Sequence, residues 1–326
     1  MRKSLIVNGK FNKQRTTGVQ RYAIGILSNL KDCQSTCPSS QNRLIQILWE
    51  QLWLPMTVKF KNALLVNFCN TAPFWYKNQI VAIHDMAVFE NPTWFQPTFA
   101  KYYHWLFKKL AKNANHFVTV SEFSKQEMVK HLELSPEKIT VIHSAISPNW
   151  EHIESEAIDS LNGQKFLLMV GSRDPRKNFD FVIEQLANWL QVNNYKLIIA
   201  GNTGKAFSSS SAVESNNVSW LANLNDHQLK WLYENTALLI HPSLYEGFSL
   251  VPLEGISLKV NCLISNIPVH REIVGDRAHY FELNNSTSLI EKLNAALANP
   301  FIQGEPLPYS FEKSADRWKK IMNKYF

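Results

Sequence analysis

The chain has 326 residues, 45% of them apolar, with 34 Lys+Arg against 27 Asp+Glu and a formal net charge of +7. At roughly 150 residues per domain this length predicts two domains, each able to build a core, and the composition excludes a disordered or fibrous chain. No stretch approaches the roughly 18 uncharged apolar residues of a spanning helix, and residues 1–5 run into Asn8-Gly9-Lys10 without a signal-peptide core, so the sequence reads as soluble and cytoplasmic. Residues 1–150 carry 18 basic against 8 acidic side chains, whereas residues 151–326 carry 16 against 19. A basic N-terminal half suits an anionic partner, whether nucleic acid, a membrane surface or a phosphorylated substrate, or else is a solvated face. Four cysteines, Cys33, Cys37, Cys69 and Cys262, are too few and scattered for a disulfide framework or a zinc site and read as reduced thiols.

In chain order, short aliphatic or β-branched runs at 4–7, 63–67, 80–83, 117–120 and 140–142 alternate with helical patterns. A polar connection at 148–164 follows, then runs at 166–170, 196–200, 237–241 and 261–265. Strands alternating with helices predict parallel sheets. The reading is therefore α/β, with two Rossmann-like doubly wound domains facing each other across a cleft, divided at residue 152, and ligands beyond the carboxyl ends of the strands. After the Pro306 and Pro308 breaks a terminal helix is expected to pack back toward the N-terminal domain. Between residues 98 and 113 the helical period puts Phe99, Tyr102, Tyr103, Leu106, Phe107 and Leu110 on a core face, and Lys101, Trp105, Lys108 and Lys112 on another. That second face has the composition of a helix resting on anionic lipid, or of a solvated face with one Trp.

The most informative stretch runs from His241 through Glu246-Gly247-Phe248-Ser249 to Pro252 and Glu254. Gly247 permits a tight turn, Ser249 can act as N-cap, and Pro252 is tolerated only in a first helical turn. A helix N-terminus in this place suits a phosphate or departing diphosphate. Glu246 on the loop and Glu254 one turn into the helix can accept hydrogen bonds from hydroxyls at two points of one extended polar ligand, as a sugar nucleotide would offer.

Here the chain resembles the retaining glycosyltransferases of family 4, which have the GT-B fold, along nearly its whole length. Their signature of two Glu separated by seven residues matches Glu246 and Glu254; the resemblance implies that the first lies against the donor sugar and the second binds the ribose hydroxyls. Arg173 and Lys177, in 170–178, match the family's cations on the donor diphosphate. Gly201 and Asn202 resemble the segment lining the nucleotide pocket, with Gly247, Phe248 and Ser249 beside them. In the N-terminal half Gly18 opens a helix where the family brings backbone to the donor phosphate, and His84-Asp85 stands where the family has a His-Asp pair with the His near the sugar hydroxyls. Ser121-x-x-Ser124 resembles a family helix start, and simple N-capping accounts for it. Two departures are visible. Beyond Glu254 the family usually has small residues and a Gly before the next strand, where this chain has Gly255-Ile-Ser-Leu-Lys259-Val-Asn261, and Ser144-Ala145 stands where many members have Asn-Gly.

The resemblance implies a transferase that moves a sugar from a nucleoside diphosphate donor to an acceptor hydroxyl with retention, in bacterial surface polysaccharide assembly. The C-terminal domain (153–305) is expected to bind the donor and the N-terminal domain a glycan or lipid-linked acceptor, at the inner face of the cytoplasmic membrane. No Asp-x-Asp occurs, so no metal or other cofactor is expected; HExxH, G-x-S-x-G and G-x-G-x-x-G are also missing. Two alternatives stand beside this reading: a non-hydrolysing sugar-nucleotide epimerase of the same fold, and a non-catalytic nucleic-acid binder, which would explain the basic half but not the two Glu and two cations.

Overall fold

A computed structural model describes residues 4–30, 33–201, 217–300 and 306–326. The chain forms two units, one of Met1–Glu90, Ala100–Ser147 and Tyr309–Phe326, the other of Asn91–Phe99 and Pro148–Pro308. In the first unit the strands are β1 (Leu5–Asn8), β2 (Gln34–Thr36), β3 (Leu64–Asn67), β4 (Gln79–Ala82), β5 (His116–Thr119) and β6 (Ile139–Val141). The helices between them are α1 (Gly18–Ser28), α2 (Arg43–Leu48), α3 (Leu54–Phe60), α4 (Ala87–Glu90), α5 (Pro97–Asn113) and α6 (Glu122–Leu132). The six strands pair in parallel in the order β2-β1-β3-β4-β5-β6.

The second unit repeats the plan with β7 (Phe166–Val170), α7 (Phe179–Asn193), β8 (Lys196–Ala200), β9 (Val218–Leu221), α8 (Asp226–Asn235), β10 (Leu238–His241), α9 (Leu250–Ser257), β11 (Cys262–Ser265), α10 (Pro268–Ile273), β12 (His279–Phe281) and α11 (Ser286–Ala298). Its strands are also all parallel, in the order β12-β11-β10-β7-β8-β9. The last helix, α12 (Phe311–Tyr325), belongs to the first unit. There Trp318 donates its indole N–H to the Tyr22 hydroxyl of α1 at 2.7 Å, and the Ser314 hydroxyl donates to the His143 carbonyl at 2.7 Å.

Parallel sheets covered by helices on both faces need strands that are apolar on both sides. β7, β10 and β11 are buried at every position, and the core of the second unit runs from Leu167 and Met169 through Leu186 and Leu190 of α7 to Leu289 and Leu293 of α11. Three strands have no counterpart in the sequence reading: β2, β9 and β12. Each lies at a sheet edge.

Candidate active site

β7 and β10 are neighbours, Leu238 opposite Leu167 and Leu239 opposite Leu168. At this pair the strand order of the second sheet reverses, since β8 and β9 extend to one side and β11 and β12 to the other. The loops that follow two such strands diverge and leave a crevice at their carboxyl ends. The two loops here are 171–178 and 242–249, tied together by the Leu244 N–H donating to the Arg176 carbonyl at 2.7 Å.

The first loop starts from a close backbone approach. Gly171 has φ 151°, its N–H donates to the Ala200 carbonyl at 2.9 Å, and a Cβ on Gly201 would fall 1.8 Å from the Gly171 oxygen. Gly201 thus has a steric role of its own, while Asn202 lies outside the described residues. A short turn, Pro175–Lys177, is capped by Asp174, which accepts the Arg176 N–H at 3.0 Å. The Arg176 guanidinium folds back onto Asp174 at 2.9 and 2.7 Å and lies 5.3 Å over the Phe95 ring, so it shapes the loop. Arg173 lies 5.2 Å over Trp220 of β9, a cation–π contact that fixes the guanidinium plane.

Lys177 crosses to the second loop. Its Nζ donates to Glu246 Oε1 at 2.6 Å; the Ser243 hydroxyl donates to the same oxygen at 2.7 Å, and His241 Nε2 stands 3.2 Å from it. Burial pushes the Glu246 carboxyl up, but the Lys177 charge, the His241 hydrogen bond and Arg176 outweigh it and hold the group well below the usual carboxylate range. Burial likewise lowers His241, against the pull of Glu246. A neutral His241 donating from Nε2 leaves a lone pair on Nδ1, and that buried atom has no hydrogen-bond partner among the described residues.

The turn Gly247-Phe248-Ser249 delivers α9. Phe248 is buried, and Ser249 occupies the cap position with φ 74° and ψ 62°. Here the capping expectation is corrected. A capping serine needs extended backbone to reach the next N–H groups. Left-handed Ser249 makes no such bond, and its buried Oγ has no partner among the described residues. Holding a non-glycine residue in that region costs about 1–2 kcal/mol. The first turn of α9 is left without a side-chain cap. Pro252 sits in that turn, as expected, and Glu254 follows it, 8% exposed, with Oε2 accepting from the Tyr233 hydroxyl at 2.9 Å. Trp150 donates its indole N–H to the Glu254 carbonyl at 3.2 Å and so fixes the helix itself.

Gly18 and His84 belong to the first unit. Gly18 is the exposed first residue of α1, whose start is held by Gln20 accepting the Thr17 N–H at 3.1 Å. His84 is buried just past β4, edge-on to Tyr22 at 4.8 Å, with Nε2 2.8 Å from the Phe68 carbonyl. A carbonyl only accepts, so Nε2 carries the proton and Nδ1 is an acceptor; burial keeps the ring below the usual histidine range, hence neutral. Ser121 caps α6 through the Ser124 N–H at 3.0 Å. Lys101, Trp105, Lys108 and Lys112 are exposed along α5, with Trp105 edge-on to Phe74 at 4.9 Å.

Sequence reasoning overlooked Ser243 and His241 as partners of Glu246, Tyr233 as the partner of Glu254, and Trp220 beneath Arg173. The first two stand inside the quoted motif; Tyr233 and Trp220 come from elements with no motif at all. Among the described residues one cluster of metal-ligand type occurs, Glu90, Glu127 and His131 of the first unit, but Lys130 is ion-paired into it at 3.6 and 3.3 Å. No helix among the described residues is long and apolar enough to cross a membrane.

Comparison with known proteins bears on the family and the fold. The family model "Glycosyl transferases group 1" matches residues 151–320 and the model "Glycosyltransferase Family 4" matches residues 38–150. The O-antigen chain mannosyltransferase RfbU of Salmonella typhimurium is 28% identical over 258 residues, 77% of this chain and 70% of that protein. The O-antigen chain mannosyltransferase B of Escherichia coli is 25% identical over 217 residues, 63% of this chain and 57% of that protein. Among solved structures, WaaG, a glycosyltransferase involved in lipopolysaccharide biosynthesis, superposes with a TM-score of 0.65 at 18% identity, covering 99% of this chain and 96% of its own. Anabaena HepE in complex with UDP and glucose superposes with a TM-score of 0.66 at 13% identity, covering 99% and 95%. These two likenesses establish the GT-B fold class.

Proposed function

Because the chain is a glycosyltransferase of the group 1 family, we propose that it transfers a mannosyl residue, with retention, from a nucleoside diphosphate donor to a hydroxyl of a growing surface glycan. The observation that carries the reading is the meeting of Lys177, Glu246 and the uncapped start of α9 at the strand-order reversal of the second unit. The names of the O-antigen mannosyltransferase relatives support the choice of sugar and setting.

In this reading the second unit holds the donor. Arg173, Lys177 and the free N–H groups of α9 stabilise the diphosphate as it leaves, and a diphosphate oxygen takes the proton of the acceptor hydroxyl arriving on the same face. Glu246, kept anionic and fixed through Oε1, lies against the sugar ring, and Gly247, Phe248 and Ser249 shape the turn around it. Glu254, oriented by Tyr233, receives the ribose hydroxyls. The first unit holds the acceptor, with neutral His84 offering Nδ1 to a sugar hydroxyl and Gly18 letting backbone approach a phosphate. A lipid-linked acceptor gives the exposed Lys101, Trp105, Lys108 and Lys112 a purpose on anionic headgroups.

The test is a panel of nucleotide sugars scored by thermal protection and turnover. A mannose-bearing nucleoside diphosphate should protect, by about 2.7 kcal/mol at 100 times its dissociation constant, and its transfer should survive EDTA. Consumption of the nucleotide sugar without any acceptor would favour the epimerase, and rescue of chelated enzyme by Mn²⁺ would end the metal-free reading. For Glu254→Ala we expect nucleoside diphosphate affinity to weaken by about 1.5–3 kcal/mol, the range for charged hydrogen bonds. Calorimetry giving equal affinity for variant and wild type would remove Glu254 from the site.

A further inference from the structure

Residues 43–60 form one continuous helical rod, α2 leading through a π-turn at Trp49–Trp53 into α3. The π-turn has a local cause. Pro55 lacks the N–H that would bond the Gln51 carbonyl, and the Trp75 indole N–H takes that carbonyl instead at 2.7 Å. In a regular helix four residues overshoot a turn by about 40°, so a ridge of every fourth residue coils around the rod; the wider π-turn takes up part of that excess. Two such ridges lie on opposite sides. Gln46, Glu50, Leu54 and Val58 are buried. Leu44, Leu48, Leu52, Met56 and Phe60 are exposed, Phe60 at 94%, with Trp53 beside them at 62%.

The polarity of the rod is therefore reversed over its first half. Glu50 is fully buried, accepting from Asn8 and Thr71 at 2.8 Å each and from Lys10 at 2.5 Å, while the leucines face outward. Glu50 is the sole carboxylate between residues 43 and 61, so the outer face carries no negative charge; Arg43 stands at one end and Lys59 and Lys61 at the other, all exposed. The basic face of α5 adjoins the rod. Trp105 packs on Phe74, whose N–H donates to the Gln51 side chain at 3.0 Å.

We propose that this outer ridge is a bilayer-inserting surface, its Leu, Met, Phe and Trp side chains entering the headgroup–acyl boundary of an anionic membrane. An apolar stripe that bears a Trp, with cations at its ends and no exposed carboxylate along it, is the composition of an interfacial helix. A second copy is a poorer occupant, because a twofold contact through this face would bring Arg43, Lys59, Lys61 and the α5 lysines of two basic halves together. The proposal extends the membrane reading of α5, and its test keeps the two apart.

The full chain is co-sedimented with phosphatidylcholine vesicles, with and without phosphatidylglycerol. The double change Leu52→Ser with Phe60→Ser should weaken binding to anionic vesicles about tenfold or more, with the melting temperature and the turnover of a water-soluble acceptor unchanged. The triple change of Lys101, Lys108 and Lys112 to Ser should remove only the salt-sensitive part of the binding. Ridge variants that sediment like wild type overturn the inserting ridge and leave the α5 reading standing, while loss confined to the ridge variants does the reverse. Wild type that ignores both vesicles ends both readings, and sedimentation equilibrium showing a dimer dissolved by the ridge changes assigns the face to a second copy.

Discussion

Lys177→Ala should lower kcat by about 10²–10³, the cost of removing one preorganised donor from a developing anion, and should destabilise the second unit at neutral pH. The two effects share one ammonium group. In the unliganded structure Lys177 balances Glu246 at 2.6 Å, and both side chains are only 14% exposed. Removing one member of such a pair strands the other charge, which costs about 2–3 kcal/mol where some solvent still reaches it. The pH dependence should change sign as well. In wild type the Glu246 carboxyl is depressed, so its contribution to stability is full above the ordinary carboxylate range and is lost only as pH falls through the lower folded value. Without Lys177 the largest charge opposing the burial of Glu246 is gone and His241 loses a neighbouring cation, so proton uptake by this buried pair in mild acid relieves the stranded charge. The difference in melting temperature between variant and wild type should therefore narrow from pH 7 to pH 5. The double change Lys177→Met with Glu246→Gln should recover stability but not turnover, separating the two roles. A Lys177→Ala enzyme with wild-type kcat would remove the residue from the chemistry.

The sequence announced the parts of the fold where one physical pattern suffices. Strands buried on both faces must be continuous apolar runs, and nine of the twelve observed strands are of that kind or close to it. Gln34–Thr36, Val218–Leu221 and His279–Phe281 are not, because an edge strand is covered on one side and half-exposed, and its residues can be Gln, Ser, Asn-flanked Val or His without cost. The rod at 43–60 escaped for a related reason. Its apolar ridge points to solvent and its buried ridge begins with Gln46 and Glu50, so the periodicity that normally marks a core-facing helix is inverted.

The candidate site divides along similar lines. Residues whose type and spacing carry the proposal, Glu246, Glu254, Arg173 and Lys177, are legible in one dimension. Their supports are not. Tyr233 reaches Glu254 from twenty-one positions away, and only the packing of α8 beside α9 makes the pair. Ser249 has the residue type of a cap without the backbone of one. At the far end of α9, Lys259 adopts a left-handed φ of 62° that favours glycine, so the chain makes the turn into β11 with a lysine at a cost in strain.

Gly201→Ala should be the most damaging single-methyl change in the second unit, lowering stability by about 3 kcal/mol or more and turnover with it. The added Cβ would lie 1.8 Å from the Gly171 oxygen and 2.5 Å from its carbonyl carbon. Both obstructing atoms are backbone, and neither strand end is free to yield. Gly171 donates to the Ala200 carbonyl at 2.9 Å, and Gly201 donates to the Leu221 carbonyl at 2.9 Å. Relief requires the ends of β7 and β8 to part, which moves the start of the loop carrying Arg173 and Lys177. Gly163→Ala supplies the contrast. It has a positive φ of 72°, but nothing lies within 4 Å of its added methyl, so strain alone costs about 1 kcal/mol. In thermal unfolding Gly201→Ala should lose about 6–12 °C, taking 2–4 °C per kcal/mol for a unit of this size, against a few degrees for Gly163→Ala. Turnover should fall only in the former, because only there does the displaced backbone belong to the loop that holds the cations. If Gly201→Ala melts and turns over like Gly163→Ala, the ends of β7 and β8 part without cost and the close approach matters to neither stability nor the loop, whereas lost turnover at unchanged stability would tie Gly201 to the donor itself.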